Sequence, residues 1–111
     1  MSTISFSDSV GDILGLSTRT LELILDRAVP HVSDPEEAED LRTCIYSDGV
    51  SFDVFERAEG IRLADAFRRG ALELKVELEA GKEPLPKFGA GNIPKLDEIV
   101  ALIDRFLPAD Y

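Results

Sequence analysis

Apolar residues recur every three or four positions through most of the chain, which is the spacing of helices with one buried face. The clearest stripe lies near the C-terminus, where Pro94 suits a first helical turn and Pro108 ends the pattern. Its apolar positions are Leu96, Ile99, Val100, Ile103, Phe106 and Leu107. Charged residues occupy the positions between them, so the pattern predicts an amphipathic C-terminal helix.

A longer apolar seam predicts a helix over 53–80. Its positions are Val54, Ala58, Ile61, Ala64, Phe67, Ala71, Leu74 and Leu78. The segment 72–79 also alternates apolar and charged residues with a period of two, which is typical of a strand. Helix is the prediction here, because Leu, Glu and Lys favour helices and the seam continues in phase. A strand over 71–79 is the alternative.

Two helices are predicted before residue 30. A short first helix over 7–16 would place Ile13, Leu14 and Leu16 on its apolar side. The second begins after Ser17 or Thr18 and runs to Pro30, because the residue before a proline avoids the helical conformation.

The strongest local signal begins a further helix at Asp34. Asp34 suits the N-cap, Pro35 the first helical position, and Glu37 completes a capping box. This helix is expected to run to about Ser47 and to stop at Asp48-Gly49. In the alternative interpretation, Asp48-Gly49 is the turn of a β-hairpin.

These elements predict an all-α fold, a compact single-domain helical bundle of about four to five helices over residues 1–111. The alternative is an α+β fold with a hairpin around Asp48-Gly49 and a strand 71–79. A chain of 111 residues fits one domain. Apolar runs are too short for a membrane span, the N-terminus lacks the features of a secretory signal, and one cysteine cannot form an internal disulfide. The expected location is the cytoplasm.

Charge restricts the choice of partner. The chain has 22 acidic against 12 basic residues, a formal net charge of -10. A nucleic-acid binder needs a basic face to neutralise phosphates. The arginines between Arg57 and Arg69 alternate with acids such as Glu59 and Asp65, so ion pairs within one helix are the simpler interpretation.

Catalytic and metal-binding chemistry has few candidate residues. The chain has a single His31 and a single Cys44, and no motif for zinc, calcium or phosphate. We therefore expect no catalytic residue, no metal and no cofactor. A small carboxylate-dependent enzyme stays open as an alternative, and it would require a pocket holding an acid of raised pKa.

Two concentrations of acidic residues are the informative feature. Five of the seven positions from Asp34 to Asp40 are acidic, and a second group lies near the end of the seam. Such a surface either keeps the protein soluble or attracts a cationic partner. Tyr46, Phe52 or Phe55 could supply an aromatic anchor. The predicted partner-binding residues are Asp34, Glu36, Glu37, Glu39, Asp40, Tyr46, Glu73 and Glu77.

In size and charge the chain resembles the small acidic immunity proteins of bacterial toxin–immunity pairs. The resemblance implies an inhibitor that covers the positive active-site cleft of a basic, nuclease-type toxin. The alternative is a helical adaptor that forms homodimers through the seam or through the C-terminal stripe, without enzymatic activity.

Overall fold

Four α-helices form the body of the protein, which confirms the predicted helical bundle. The computed structural model describes residues 2–5, 13–44, 49–52, 55–84 and 86–108. The helices are α1 (Thr18–Ala28), α2 (Pro35–Thr43), α3 (Arg57–Glu79) and α4 (Ile93–Phe106). Short 3-10 turns, Val29–His31 and Ala90–Asn92, follow α1 and precede α4.

The helix starts follow the local signals in the sequence. The Ser17 hydroxyl accepts a hydrogen bond from the Thr20 N–H and caps α1. Asp34 caps α2 in the same way, with Pro35 at the first helical position. The described part of α2 ends at Thr43, and the predicted continuation over 45–47, which includes Tyr46, lies outside the described residues.

Helix α3 is the centre of the core and packs on both α1 and α4. Phe67, Leu74 and Leu78 of α3 are buried, together with Ile24 of α1 and Ile99 of α4. The alternative strand over 71–79 is wrong, because α3 continues to Glu79 and keeps its leucines on the face that carries Phe67. The helical spacing therefore outweighs the two-residue alternation.

A small three-stranded sheet, which the sequence pattern did not predict, accompanies the helices. Strands β1 (Ser2–Ser5) and β2 (Ile13–Leu16) pair antiparallel, and β3 (Gly49–Ser51) pairs with β1 in parallel. The predicted first helix is thus wrong over 13–16. Gly15 weakens a helix there by about 1 kcal/mol, whereas pairing with β1 buries Leu16.

The hairpin alternative fails in its described part for a related reason. Gly49–Ser51 is a strand, and its partner among the described residues is β1, in parallel. Thr43, which lies in the first strand of the predicted hairpin, is instead the last residue of α2. Asp48, the first turn residue of the predicted hairpin, lies outside the described residues.

Candidate protein-binding surface

Helix α2 has one buried side and one acidic, exposed side. Leu41 and, at the C-cap, Cys44 are buried. Glu36, Glu39 and Asp40 are exposed on the rest of the helix. The acidic concentration predicted from the sequence therefore faces solvent.

Asp34 combines a structural role with an exposed charge. Its Oδ1 accepts hydrogen bonds from the backbone N–H groups of Glu36 at 2.8 Å and of Glu37 at 3.4 Å. The residue stays exposed at the positive end of the helix. Its carboxylate therefore stabilises α2 and contributes to the surface charge.

Glu37 joins α2 to α3 and is not available to a partner. Both of its carboxylate oxygens accept hydrogen bonds from Arg62, at 2.9 and 2.5 Å, and its side chain is only 15% exposed. This contact raises the pKa of Arg62. Glu37 is thus a bridging residue between helices rather than a surface charge.

The second predicted patch also holds the fold together. Glu77 accepts two hydrogen bonds from Arg27 of α1, at 2.5 and 2.8 Å, and Glu73 lies 3.0 Å from the imidazole Nε2 of His31. The Arg27 guanidinium lowers the pKa of Glu77. Glu77 therefore neutralises the charge of Arg27, and Glu73 contacts the His31 ring, neither of which the sequence pattern could indicate.

A shallow groove between α1 and α2 adds two acids that sequence reasoning missed. It has a volume of about 240 Å³ and is lined by Leu25, Asp26, Val29, Pro30 and Arg42. Glu22 lines the adjoining part of the groove next to Leu25 and Asp26. In the sequence, only their spacing of four residues indicates that Glu22 and Asp26 lie on the same side of a helix.

We call the exposed acids of α1 and α2, together with the α2 cap, the acidic face. Glu39 makes an exposed ion pair with Arg42, which lines the groove, at 2.9 Å. Within the described ranges it is the one member of the face that forms an ion pair. The acidic face comprises Glu22, Asp26, Asp34, Glu36, Glu39 and Asp40.

Outside these residues, most acids of α3 and α4 form ion pairs. Examples are the contacts Asp65–Arg69, Asp104–Arg68 and Asp97–Lys75. Each such pair cancels a negative charge locally. On the acidic face, by contrast, most carboxylates form no ion pair within the described ranges.

Asp40 also approaches the carboxyl group of Glu59 in α3. This contact, with burial and the negative charges of Asp40 and Glu37, raises the pKa of Glu59 to about 7, and Arg62 opposes the shift. Glu59 thus meets one requirement of the carboxylate-dependent enzyme. It is not among the residues that line the groove.

Phe52 and Phe55, which were predicted as aromatic anchors, differ in how deeply they are buried. Phe52 is 1% exposed and its ring packs edge-on against Phe67, with centroids 5.8 Å apart, so it is a core residue. Phe55 is partly buried against the same core. Neither side chain is fully available to a partner.

The described residues offer neither a cluster of metal ligands nor a reactive thiol. Among the described residues, His, Cys, Asp and Glu side chains form no group of three or more that could hold a metal ion. Burial raises the pKa of the Cys44 thiol to about 11, which leaves it a poor nucleophile. No helix in the described part of the chain has the length and apolar character that a membrane crossing requires.

Comparisons with protein-family models, with curated proteins and with solved structures gave no match. Function is therefore inferred from the surface of this chain alone. Its distinctive feature is the acidic face with the groove between α1 and α2.

Proposed function

We propose that the protein is a binding module that docks its acidic face on a basic protein. The observation that carries the proposal is the separation of charge over the surface. Most acids on α3 and α4, among them Asp65, Asp97 and Asp104, pair with a neighbouring cation. By contrast, Glu22, Asp26 and Glu36 are exposed and form no ion pair within the described ranges. Fixed like charges of this kind attract a cationic partner and accelerate its association.

The groove supplies shape as well as charge. Leu25, Val29 and Pro30 give it apolar atoms, and Glu22 and Asp26 place carboxylates beside them. A lysine or arginine side chain has a matching division into an aliphatic stem and a charged head. A basic residue of the partner can therefore lie along the groove and pair with these carboxylates.

In its most specific form, the proposal is that the partner is a nuclease-type toxin and that this protein is its inhibitor. A protein that binds nucleic acid presents a positive cleft for phosphates. An acidic helix such as α2 carries negative charges that can take the place of phosphates in that cleft. Such inhibition requires surface complementarity and no catalytic residue of its own.

The homodimeric adaptor has less support than the acidic module. In that hypothesis, the seam or the C-terminal stripe forms the contact with a second copy of the chain. Leu74 and Leu78 of the seam, with Leu96 and Ile103 of the stripe, are buried in the core of the same chain. These side chains are therefore already used within one molecule.

Competition with nucleic acid tests the proposal. The probe is a candidate partner, namely a basic protein whose gene is found next to that of this chain, purified and bound to a fluorescent oligonucleotide. The expected result is displacement of the oligonucleotide and loss of nuclease activity at one equivalent of this chain. Simultaneous binding of oligonucleotide and chain, or no binding of the chain at all, contradicts the proposal.

A further inference from the structure

Two carboxyl groups, those of Asp40 and Glu59, meet where α2 lies against α3. The Oε1 atom of Glu59 is buried, and no hydrogen-bond donor reaches it among the described residues. Carboxylates only accept hydrogen bonds, so a bond between these two groups requires a proton on one of them. Without that proton, two negative charges oppose each other and a buried oxygen lacks a partner.

The neighbouring charges do not remove this conflict. Glu37 of α2 adds a third negative charge, and Arg62 of α3, which lies close to Glu56, is already engaged by both oxygens of Glu37. Glu59 lies in the first turn of α3, where the helix end favours a negative charge. The pKa of Glu59 nevertheless rises to about 7, first because of the hydrogen bond with Asp40.

Repulsion between these two carboxylates would displace helix α2. It has nine residues, and Leu41 is its buried residue, whereas α3 and α4 bury several residues each. Segments with few buried apolar contacts open at the lowest free-energy cost. Repulsion between Asp40 and Glu59 therefore acts on a helix that is held by Leu41, by Cys44 at its C-cap and by the Glu37–Arg62 pair, with less buried apolar surface than α3 or α4.

We propose that a proton shared by Asp40 and Glu59 fastens α2 to α3, and that loss of this proton loosens α2. In the docked state the proton is held up to about pH 7, whereas a free glutamate loses it near 4.5. The docked state thus binds more protons between these two values. Its stability relative to the loosened state falls as pH rises through this interval, and stays low above it.

Opening of α2 would also alter the acidic face, and with it the binding of a partner, because α2 carries Asp34, Glu36, Glu39 and Asp40. That consequence for binding rests on the proposed function. The opening of α2 does not, because it is a property of the free chain. An experiment without any partner therefore tests the proton contact separately.

Cys44 provides a reporter for the experiment, because it is the single cysteine of the chain and is buried at the end of α2. Its reaction with an aromatic disulfide reagent is followed in the wild type and in the Glu59→Gln variant at each pH. The glutamine amide donates to Asp40 at every pH, so α2 stays docked. Taking the ratio of the two rates at the same pH cancels the ionisation of the thiol itself.

The ratio of wild-type to variant rate is expected to be near one at about pH 5.5. It should rise at least about tenfold by about pH 8.5, since each unit of pKa shift corresponds to a factor of about ten. A ratio that is constant over this range overturns the proposal. The proposed function would be untouched by that result, because no partner is present.

Two further measurements keep the test independent of one variant. Asp40→Asn also supplies a donor to the pair, but the Asp40 charge raises the pKa of the Cys44 thiol. Docking of α2 in this variant is therefore followed by amide hydrogen exchange, which is expected to show the same pH-independent protection as Glu59→Gln. In the wild type alone, amide hydrogen exchange compares α2 with α1 in the same sample at each pH. Protection of α2 relative to α1 is expected to fall as pH rises, and an unchanged ratio contradicts the proposal.

Discussion

Arg27 of α1 and Glu77 of α3 form a two-point ion pair across the interface between these helices. Two guanidinium nitrogens of Arg27, Nε and Nη2, donate to the two carboxylate oxygens of Glu77, and the side chains are 19% and 29% exposed. Arg27 also donates to the carbonyl of Leu23 in its own helix. The pair therefore fixes the position of α3 relative to α1, which carries half of the groove.

Removing one partner of this pair is expected to destabilise the protein. Arg27→Gln or Glu77→Gln should each lower the free energy of unfolding by about 1–2 kcal/mol, between the values for exposed and buried pairs. Urea denaturation at neutral pH measures the loss. The double variant should lose less than the sum of the two single changes. Strict additivity would show that the two side chains do not interact.

The same pair predicts a pH dependence. Arg27 holds the pKa of Glu77 below its usual value of 4.5, so the folded state binds fewer protons at this site than the unfolded state. The contribution of the pair is therefore complete above about pH 4.5 and is lost as pH falls through the lower folded-state pKa. The stability difference between wild type and Glu77→Gln should shrink in acid. A difference that grows in acid would contradict this assignment.

Gly70 sets the close approach of α1 and α3. A Cβ atom at this position would lie 2.6 Å from the carbonyl oxygen of Ile24 and 2.9 Å from the backbone nitrogen of Ala28. Helix propensity alone predicts that Gly70→Ala stabilises α3 by about 1 kcal/mol. Because backbone atoms of α1 cannot give way as a side chain can, we expect a net loss of about 1–3 kcal/mol.

Gly91 provides the matched control for this substitution. A Cβ atom there would meet nothing within 4 Å. Gly91→Ala should therefore change the free energy of unfolding by less than about 0.5 kcal/mol. If both alanine variants had the same stability in urea, steric conflict at Gly70 would not be the controlling factor.

Asp34 allows the cap of α2 to be separated from its charge. Asp34→Ala removes the acceptor for two backbone N–H groups and should cost about 1 kcal/mol. Asp34→Asn keeps an acceptor oxygen and should retain most of the stability, although the charge is lost. Thermal denaturation followed by circular dichroism compares the variants. An asparagine variant as unstable as the alanine variant would show that charge, rather than capping, matters here.

The sequence predicted those features whose causes lie close together along the chain. The caps at Ser17 and Asp34 and the stripe that begins at Leu96 each depend on residues within a few turns. The helix predicted over 53–80 is confirmed over 57–79 for the same reason, since Phe67, Leu74 and Leu78 repeat at helical spacing. The strand β2 was missed because its stability comes from pairing with β1, and four residues are too few to show a pattern.

The functional surface was only partly predictable because charge balance is a tertiary property. Arg27 and Glu77 are 50 positions apart, and His31 and Glu73 are 42 apart, so no local spacing indicated that these acids are engaged within the fold. In the same way, Glu22 and Asp26 became part of the acidic face only through the packing of α1 beside α2. The acids around Asp34 were found because one short helix carries them all.

Charge reversal on the acidic face tests the proposed binding function most directly. The variant Glu22→Lys, Asp26→Lys, Glu36→Lys changes three face residues that form no ion pair within the described ranges. The control Glu79→Lys, Glu83→Lys, Glu98→Lys makes the same change in net charge at exposed positions outside the face, and it also removes the exposed ion pair between Glu98 and Lys95. Circular dichroism first establishes that both variants are folded.

Affinity for the same candidate partner, a basic protein whose gene is found next to that of this chain, is then measured by calorimetry at low and at physiological salt. The face variant is expected to bind at least about tenfold more weakly than the wild type, and the control to change by less than about threefold. The difference should narrow as salt screens the exposed charges. Equal weakening by the two variants, or no effect of either, would contradict the assignment of the acidic face as the binding surface.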